Sequence, residues 1–428
     1  MQTVIEPTAA QDDDRRRAVA AVDRDRLWRR HMEMADIGAI ADYGVNRQAL
    51  SVEDVAARRL LIRWAQEFGF KISGDEIGNL FIRRPGSEPD LAPVMTGSHM
   101  DSQPMGGRFD GMFGVLAGFE ALQAMEMAGA RTRRPVELVA WTNEEGSRFA
   151  PGAMGSMVYC GRHRVEDFLG VSDAEGVSLE LALAETLRAT PEAATQHQDR
   201  TLAAYVEAHI EQGPQLENAD RTIGVVTGIQ GCRWFTVEVN GEAAHAGTTP
   251  LSGRRDAVQG ALACVVALNE LTRDPSDVVR FTVGRFDVTP GSVNSVACGV
   301  TFSVDLRHPD AHVLKTLGDA IEPTCRRAVG TCQVQVTELL NHAPCVFDRR
   351  VVDVVEGVAR DLGCSYMRMP SGAFHDAQFV NDIAPTGMIF VPCEKGISHN
   401  PAENASPDDL AAGARVLVGT VLELANVL

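Results

Sequence analysis

The hydrophobic pattern of the first part of the chain predicts helices, then a strand, a helix and a strand. Apolar residues recur at helical spacing in ALSVEDVAARRLLIRWAQEFGF, where Ser51 is placed to cap a helix, and the first 90 residues are predicted to be mainly helical. The apolar runs APVMTGS and PVELVAWTN are typical of buried strands, and FGVLAGFEALQAMEMAGA between them is typical of a helix. This order predicts two parallel strands joined by a right-handed crossover.

The pattern changes near residue 222 and predicts a second domain inserted into the first. RWFTVEVNG alternates as a half-buried strand, and a helix, two strands (VRFTVGRFDV and GVTFSVDLRHP) and a second helix follow it before CQVQVTEL. Such an order is typical of a ferredoxin-like α+β sandwich. We therefore predict an α/β protein with a mixed sheet, whose main domain spans residues 1–217 and 336–428 and whose inserted domain spans residues 218–335.

Composition and charge narrow the class of protein. With 45% hydrophobic and 23% charged residues, the 428-residue chain resembles a soluble globular protein. Its formal net charge of −18 argues against nucleic acid or an anionic membrane as a partner. We expect no apolar run of about 20 residues that spans a bilayer, and the charged N-terminus is unlike a signal peptide, so the expected location is the cytoplasm. The nine cysteines form no CxxC pair, which indicates reduced thiols.

Chemically reactive side chains lie where the predicted strands end. His99 and Asp101 follow the first strand, and Asp110 follows a glycine-rich turn. Glu144 and Glu145 follow the next strand. An aspartate two residues after a histidine is placed to hold the second imidazole nitrogen, as behind many metal ligands. Two adjacent carboxylates are costly unless positive charge lies beside them, so the pattern favours a cation at this edge of the sheet.

Two further histidines, His209 in VEAHIEQGP and His399 in KGISHNP, complete a ligand set. Three histidines and two carboxylates suit a pair of divalent ions of the zinc class with one bridging aspartate. The predicted ligands are His99, Asp110, Glu145, His209 and His399. Each residue alone also fits a structural role, such as an aspartate in a turn, and only their conjunction favours the metal site.

Other catalytic chemistries have little support in the sequence. We find no G-x-S-x-G motif, no GxxxxGK[ST] phosphate loop and no dinucleotide fingerprint between a strand and a helix. A cysteine nucleophile at Cys160 or Cys393 stays open at this point.

Six motifs occur in order over most of the chain: GSHMDSQPMGGRFDG, TNEEGSRF, HIEQGP, GEAAHAGTTP, SGAFHDA and GISHNPAE. Together they resemble the amidase and carbamoylase branch of the M20 metallopeptidase family. That branch contains N-carbamoyl-L-amino-acid hydrolases, β-ureidopropionases and allantoate amidohydrolases. The resemblance implies a metal-dependent hydrolase that cleaves the carbamoyl C–N bond of N-carbamoyl-L-amino acids to give the amino acid, carbon dioxide and ammonia.

The resemblance also implies a role for each candidate residue. The main domain would be the catalytic, dinuclear metal-binding domain, with Zn²⁺ favoured over Mn²⁺, Co²⁺ or Ni²⁺. Glu144, Asp101 and His245 would be the catalytic residues, with Glu144 as the general base and His245 of HAGTTP polarising the scissile carbonyl in the partner subunit's site. The inserted domain would be a lid that forms a homodimer. The substrate would be a small ureido compound with a carboxylate, held by Gln212, Arg233, Asn294 and Arg307.

Several alternatives stay open. An allantoate amidohydrolase or a β-ureidopropionase would share every residue named, whereas an aminoacylase or dipeptidase fits the HIEQGP and HAGTTP forms less well. A metal-binding homologue without activity is a different class, against which the intact Glu144 speaks. Phe374 stands in SGAFHDA where the family usually has glycine, and this departure bears on the substrate side chain.

Overall fold

The computed structural model describes residues 9–194 and 201–428, and the chain divides into two compact units. The first unit comprises Met1–Thr227 and Phe347–Leu428, and the second comprises Gly228–Val346. The second unit thus lies about ten residues later than the predicted insertion, residues 218–335. The reason is that the strand Ile223–Ile229 pairs within the large sheet, while the last long strand of the second unit continues to His342.

The first unit is built from ten helices and eight strands within the described ranges. Its helices are α1 (Ala9–Ala20), α2 (Arg24–Ala35), α3 (Val52–Glu67), α4 (Met112–Met127), α5 (Met154–Tyr159), α6 (Leu179–Ala189), α7 (Gln215–Asn218), α10 (Arg349–Asp361), α11 (Ala377–Val380) and α12 (Pro407–Val427). Its strands are β1 (Lys71–Gly74), β2 (Leu80–Arg84), β3 (Val94–His99), β4 (Val136–Trp141), β5 (Ala204–Ile210), β6 (Ile223–Ile229), β15 (Tyr366–Ser371) and β16 (Thr386–Val391).

The large sheet is mixed and runs in the order β1-β2-β4-β3-β5-β16-β6, with β15 also pairing with β6. Its centre, β4-β3-β5-β16, is parallel, and β1, β2 and β6 pair antiparallel with their neighbours. The predicted strands β3 and β4 and the helix α4 between them are confirmed, as is their parallel pairing. The carboxyl ends of these parallel strands meet at one edge, where ligand sites form.

Two expectations for the first unit need correction. Residues 9–90 contain the helices α1, α2 and α3, and Ser51 caps α3 as predicted, but this part of the chain also forms the antiparallel hairpin of β1 and β2. Helix α12 is also long and apolar enough, by length and composition alone, to cross a membrane, although no such run was expected. Most of α12 is buried against α1, α2, α4 and α10, so its apolarity is explained by a central place in the core.

The second unit has the strand order of a ferredoxin-like sandwich. Its elements are β7 (Gly231–Asn240), β8 (Ala244–His245), α8 (Ala257–Leu271), β9 (Arg280–Thr282), β10 (Phe286–Thr289), β11 (Ser295–Val296), β12 (Gly299–His308), α9 (Ala311–Ala328), β13 (Gln333–His342) and β14 (Cys345–Val346). The sheet order is β10-β12-β7-β13, all antiparallel, and β9 also pairs with β12. The predicted strand VRFTVGRFDV is therefore divided into β9 and β10. Helices α8 and α9 pack on one face of this sheet.

Candidate metal centre

The five predicted ligands come together at the carboxyl ends of the parallel strands. His99 is the last residue of β3, and His209 lies near the end of β5. Glu145 follows β4, and His399 lies in the loop between β16 and α12. Asp110 lies two residues before Met112, the first residue of α4. Five separate chain segments thus supply one cluster, at the edge of the sheet where the sequence predicted it.

Asp110 is central to the cluster because its two oxygens face different histidines. Its Oδ1 is 3.3 Å from His209 Nε2 and 3.8 Å from His99 Nε2, and its Oδ2 is 3.2 Å from His399 Nε2. Glu145 Oε2 is 3.4 Å from the same His399 nitrogen. The ligands therefore form two groups that share Asp110, one with His99 and His209 and one with Glu145 and His399.

The donor set fits two divalent ions. Two ligand atoms bound at about 2.1 Å to one tetrahedral ion lie about 3.4 Å apart, which matches these separations. His99 Nδ1 donates to the Asp101 carbonyl and His209 Nδ1 to the Ile210 carbonyl, both at 2.9 Å. Each Nε2 therefore carries no hydrogen, as a metal ligand requires, and that of His209 accepts a hydrogen bond from the Gly111 N–H at 3.1 Å.

The charges in the cluster also call for cations. No lysine or arginine within residues 9–194 and 201–428 forms an ion pair with Asp110, Glu144 or Glu145. Burial raises the pKa of Glu145 to about 8 and raises the pKa of Glu144 well above its ordinary value. The hydrogen bond to Asp110 raises the pKa of His399 to about 9, so this histidine is one cation beside three buried carboxylates, and bound divalent ions would supply further positive charge.

Glu144 lies beside the metal groups but belongs to neither. Its Oε2 is 3.5 Å from His99 Nε2, and its side chain is buried. The structure thus gives the two adjacent glutamates different neighbours, since Glu145 contacts His399 and Gln103, whose amide donates to Glu145 at 2.7 Å. A carboxylate next to a metal site but outside its ligand groups can accept and return a proton.

Asp101 acts differently from the sequence expectation. Its carboxylate is 3.8 Å from His99 Nδ1, so the main-chain carbonyl of Asp101, not the carboxylate, holds the imidazole. The carboxylate instead accepts hydrogen bonds from the main-chain N–H groups of Glu144 at 3.2 Å and Glu145 at 3.1 Å. Asp101 is therefore a positioning residue for both the histidine and the glutamate pair.

Two groups behind the ligands were missed from the sequence. Glu403 accepts hydrogen bonds from the N–H groups of Phe109 (2.9 Å) and Asp110 (3.0 Å) and from Ser398 Oγ (2.9 Å). It connects the segments that carry Asp110 and His399. Its only signal in the sequence is its place four residues after His399 in SHNPAE.

The second missed group supports His209. The His375 ring packs edge-on against His209, with centroids 4.5 Å apart, and Glu207 lies on the same face of β5. These three residues could also hold a metal ion. However, Glu207 already accepts from Ser98 Oγ at 2.6 Å and from the Ala377 N–H at 3.1 Å, so its contacts are those of a structural support. Glu207 lies two residues before His209, and residues two apart on a strand share a face, so its position beside His209 could have been predicted from the sequence.

The candidate substrate residues fall in both units. In the first, Gln212 Nε2 donates to Asp110 Oδ2 at 2.9 Å, so this side chain adjoins the metal groups. In the second, His245 Nδ1 accepts from the N–H groups of Gly247 (3.1 Å) and Thr248 (3.2 Å), which leaves the hydrogen on Nε2. Asn294 is close by, since its carbonyl accepts from the Ala246 N–H at 3.0 Å.

Arg233 and Arg307 lie on opposite faces of the second unit's sheet, which corrects the assignment of both to the substrate. Arg307 is paired in register with Cys232, and Arg233 with Leu306. Arg233 is buried on the helix side, where it donates to Glu338 at 2.7 Å and to Asp319 at 2.8 Å. Arg307 lies on the same face as its partner Cys232, and Cys232 and Arg233 are neighbours on β7 and so face opposite sides. One ligand therefore cannot contact both arginines. Arg233 therefore has a structural role.

Two other residues that the sequence singled out, Cys393 and Phe374, lie in surroundings unlike those of a catalytic group. Cys393 is fully buried, and burial raises the pKa of its thiol to about 12, which is the reverse of what a cysteine nucleophile requires. Phe374 is partly exposed and packs edge-on against Phe379, with ring centroids 5.6 Å apart.

A model of peptidase family M20/M25/M40 matches residues 95–423, which includes all five predicted ligands. The chain belongs to this family. It is 40% identical over 412 residues to an N-carbamoyl-L-amino-acid amidohydrolase of Rhizobium meliloti, covering 95% of this chain and 97% of the relative. A ureidoglycolate hydrolase of Oryza sativa subsp. japonica is 35% identical, covering 92% and 84%.

The fold is also similar to those of solved structures. An amidase of the hydantoinase/carbamoylase family from Burkholderia multivorans has a TM-score of 0.90 and 43% identity, over 94% of this chain and 98% of that one. The mixed α/β fold and the family are thus established together, and the family membership agrees with the resemblance seen in the motifs.

Proposed function

We propose that this M20 family member hydrolyses the carbamoyl C–N bond of N-carbamoyl-L-amino acids to the amino acid, carbon dioxide and ammonia. The observation that carries the proposal is Asp110 between two ligand groups, with Glu144 beside them and outside both. The Rhizobium meliloti relative supports it by its name and by its similarity over nearly the whole chain.

In this proposal the chain's own residues divide the work. His99 and His209 would hold one divalent ion and Glu145 and His399 another, with Asp110 between them; Zn²⁺ suits this donor set, and Mn²⁺, Co²⁺ or Ni²⁺ could replace it. When bound, the ions supply Lewis acidity and positive charge to the site. Glu144 accepts a proton from the attacking water and returns it to the leaving nitrogen.

The second unit would complete the site. His245, with its hydrogen on Nε2, is suited to donate to the substrate carbonyl as negative charge develops there. Arg307 would bind the substrate carboxylate through a two-pronged contact, with Gln212 and Asn294 as further contacts. We propose that this unit is a lid that pairs with a second copy, so that His245 acts in the partner's site.

A second candidate substrate class is favoured by one finding. The Oryza sativa relative is named a ureidoglycolate hydrolase, so related ureido acids, among them allantoate and N-carbamoyl-β-alanine, belong in the same test. An inactive metal-binding homologue is disfavoured, because such a protein has no use for Glu144 beside the ligands.

Ammonia release from a panel of substrates tests the proposal. The panel contains N-carbamoyl-L-amino acids, N-carbamoyl-β-alanine, allantoate and ureidoglycolate, assayed with the metal-loaded protein. Arg307→Ala should lower kcat/KM by about thirtyfold or more, because a substrate carboxylate loses its partner, and Arg307→Lys should restore part of it. Arg285→Ala, which removes an exposed arginine just before β10 of the same sheet, is the matched control. No ammonia from any N-carbamoyl-L-amino acid would refute the proposed reaction.

A further inference from the structure

Arg307 already binds a carboxylate of its own chain. Asp305 lies two residues earlier on β12, on the same face of the sheet, and Arg307 Nε lies 3.0 Å and 3.2 Å from its two oxygens. Arg307 Nη2 donates to Asp305 Oδ2 at 3.0 Å. The Nε and Nη2 hydrogens form one two-pronged edge of a guanidinium, and Asp305 occupies that edge.

Asp305 is held in this place by a second contact. The Cys232 thiol lies 3.5 Å from Asp305 Oδ1, and Cys232 is the cross-strand partner of Arg307 on β7. The side chains of Arg307 and Asp305 are 30% and 32% exposed, so water screens their attraction less than it does on an open surface. The ion pair of Arg307 and Asp305 is therefore fixed in place on this face of the sheet.

We propose that Asp305 is a specificity-determining residue, which competes with the substrate carboxylate for Arg307 and disfavours substrates with a second negative charge. This inference rests on the proposed function, in which Arg307 binds the substrate carboxylate. A substrate that uses the same edge must displace Asp305, and one that shares the guanidinium must lie next to a like charge. Both situations weaken binding of the substrate. Binding of a dicarboxylate is weakened most, because its second carboxylate is also repelled by the Asp305 carboxylate.

Asp305→Asn separates charge from shape, because the amide has nearly the same size and still offers one acceptor oxygen to Arg307. We expect the KM for N-carbamoyl-L-alanine to fall by about two- to fivefold, the range of one partly exposed ion pair, with kcat little changed. The kcat/KM for N-carbamoyl-L-aspartate should rise by a larger factor. N-carbamoyl-L-alanine amide, which has no carboxylate, should show no change.

Asp287→Asn is the matched control. Asp287 forms the same kind of pair with Arg285, two residues away on the same sheet, but there the side chains are 55% and 67% exposed. This variant should leave all three substrates unchanged. In an Arg307→Ala background, the effect of Asp305→Asn should disappear, because the residue for which the two carboxylates compete is gone.

The possible outcomes are distinct. If no carbamoyl compound is hydrolysed, or if Arg307→Ala affects the acid and the amide alike, the proposed function or the role of Arg307 is wrong. If Arg307→Ala acts only on the acid, but Asp305→Asn leaves its KM unchanged or raises it, the competition is refuted. A change that is equal for acid, diacid and amide also refutes it, since it would indicate a structural role. Should Asp305→Asn fold poorly, Asp305→Ser takes its place with the same expectations.

Discussion

Two adjacent glutamates, Glu144 and Glu145, receive different surroundings from one loop. The Asp101 carboxylate accepts hydrogen bonds from both of their N–H groups, which fixes the main chain at this point. Glu145 then reaches His399, while Glu144 reaches His99. At the scale of single residues, the proposed ligand Glu145 and the proposed proton carrier Glu144 are therefore separated by one position in the sequence.

Replacement of each glutamate by glutamine tests this separation. Glu144→Gln should retain the metal ions but lose about a hundredfold or more in kcat, because a positioned acid and base is lost. Glu145→Gln should instead lose metal, since a neutral amide is a poorer ligand than a carboxylate. Metal analysis beside steady-state kinetics distinguishes the two. Equal metal loss in both variants would contradict the assignment.

His31, which is not one of the candidate metal ligands, makes the stability of the fold depend on pH. It is fully buried against Phe109 and Phe113, and burial lowers the pKa of its imidazole to about 3. An unfolded histidine has a pKa of about 6.5, so the unfolded state gains a proton first as the pH falls. The folded state therefore loses stability from about pH 6.5 downwards, until His31 is itself protonated near pH 3.

The variant His31→Leu should remove this contribution. We expect its free energy of unfolding to fall less steeply with pH below 6.5, by up to about 1.4 kcal/mol per pH unit relative to the unmodified chain. Urea unfolding at pH 7.5, 6.5 and 5.5 measures it. His163→Leu, at a partly exposed histidine, is the control for replacing a histidine by leucine. The same slope in the His31 variant would show that His31 is not the cause.

At the scale of elements, α4 lies unusually close to the two strands that end in ligands. A Cβ atom at Gly114 would be 2.3 Å from the Ala208 carbonyl oxygen on β5 and 2.6 Å from Ser98 Cβ on β3. Ala208 and Ser98 immediately precede His209 and His99. The missing side chain at Gly114 thus allows the helix that follows Asp110 to sit against both histidine strands.

Gly114→Ala should disturb this arrangement. Overpacking against main-chain atoms costs about 1–3 kcal/mol of stability, and the displaced strand ends should also lower metal affinity. Gly118→Ala on the same helix is the control, because its Cβ would meet the end of the Leu138 side chain, which can rotate away. Thermal unfolding and metal titration compare the two. Equal metal affinity for both variants would separate helix packing from the ligand geometry.

The sequence predicted those elements whose pattern is local. The parallel pair β3 and β4, the helix α4 and the strands β7, β12 and β13 follow from hydrophobic periodicity, and all of them are confirmed. The hairpin of β1 and β2 was missed because its strands have only four and five residues, and the division of β9 from β10 leaves no clear break in the pattern. The order of strands in the large sheet depends on pairing between distant segments, which local periodicity does not contain.

The candidate site likewise divides into residues with a local sequence signal and residues whose role depends on the folded chain. The five candidate ligands could be predicted because each lies at a strand end or in a loop with a distinctive motif. Glu403 and the carboxylate of Asp101 act on main-chain N–H groups, and the main-chain geometry that presents those groups exists only in the folded protein. Arg233 was assigned to the substrate by resemblance, whereas alternation along β7 places it on the helix-covered face.

At the scale of the whole molecule, the residues assigned to the reaction are divided between two units. The ligands, Glu144 and Gln212 belong to the first, and His245, Asn294 and Arg307 belong to the second. Each unit has a core of its own, since buried side chains of β7, β12, α8 and α9 form a separate cluster. Variants in one unit should therefore leave the fold of the other intact.

This division allows a test of the proposed exchange between subunits. Glu144→Gln and His245→Ala should each be nearly inactive alone. If His245 serves the partner's site, heterodimers of the two variants contain one site with both residues intact, and mixing should restore part of the activity. Ammonia release from dimers shown to be mixed by differential tagging measures this. Without recovery, His245 acts in its own subunit or outside the reaction.

The two ligand groups that share Asp110 differ in their access to water. His99 and His209 are 2% and 1% exposed, whereas His399 is 50% exposed. Metal exchange should therefore be ordered in time, with the ion at His399 and Glu145 leaving to a chelator first and the ion behind it following more slowly. Metal content followed during dialysis against EDTA should fall in two phases, with circular dichroism unchanged, because a core of this size does not depend on the ions. Metal would then enter and leave the buried group at His99 and His209 by way of the exposed group at His399.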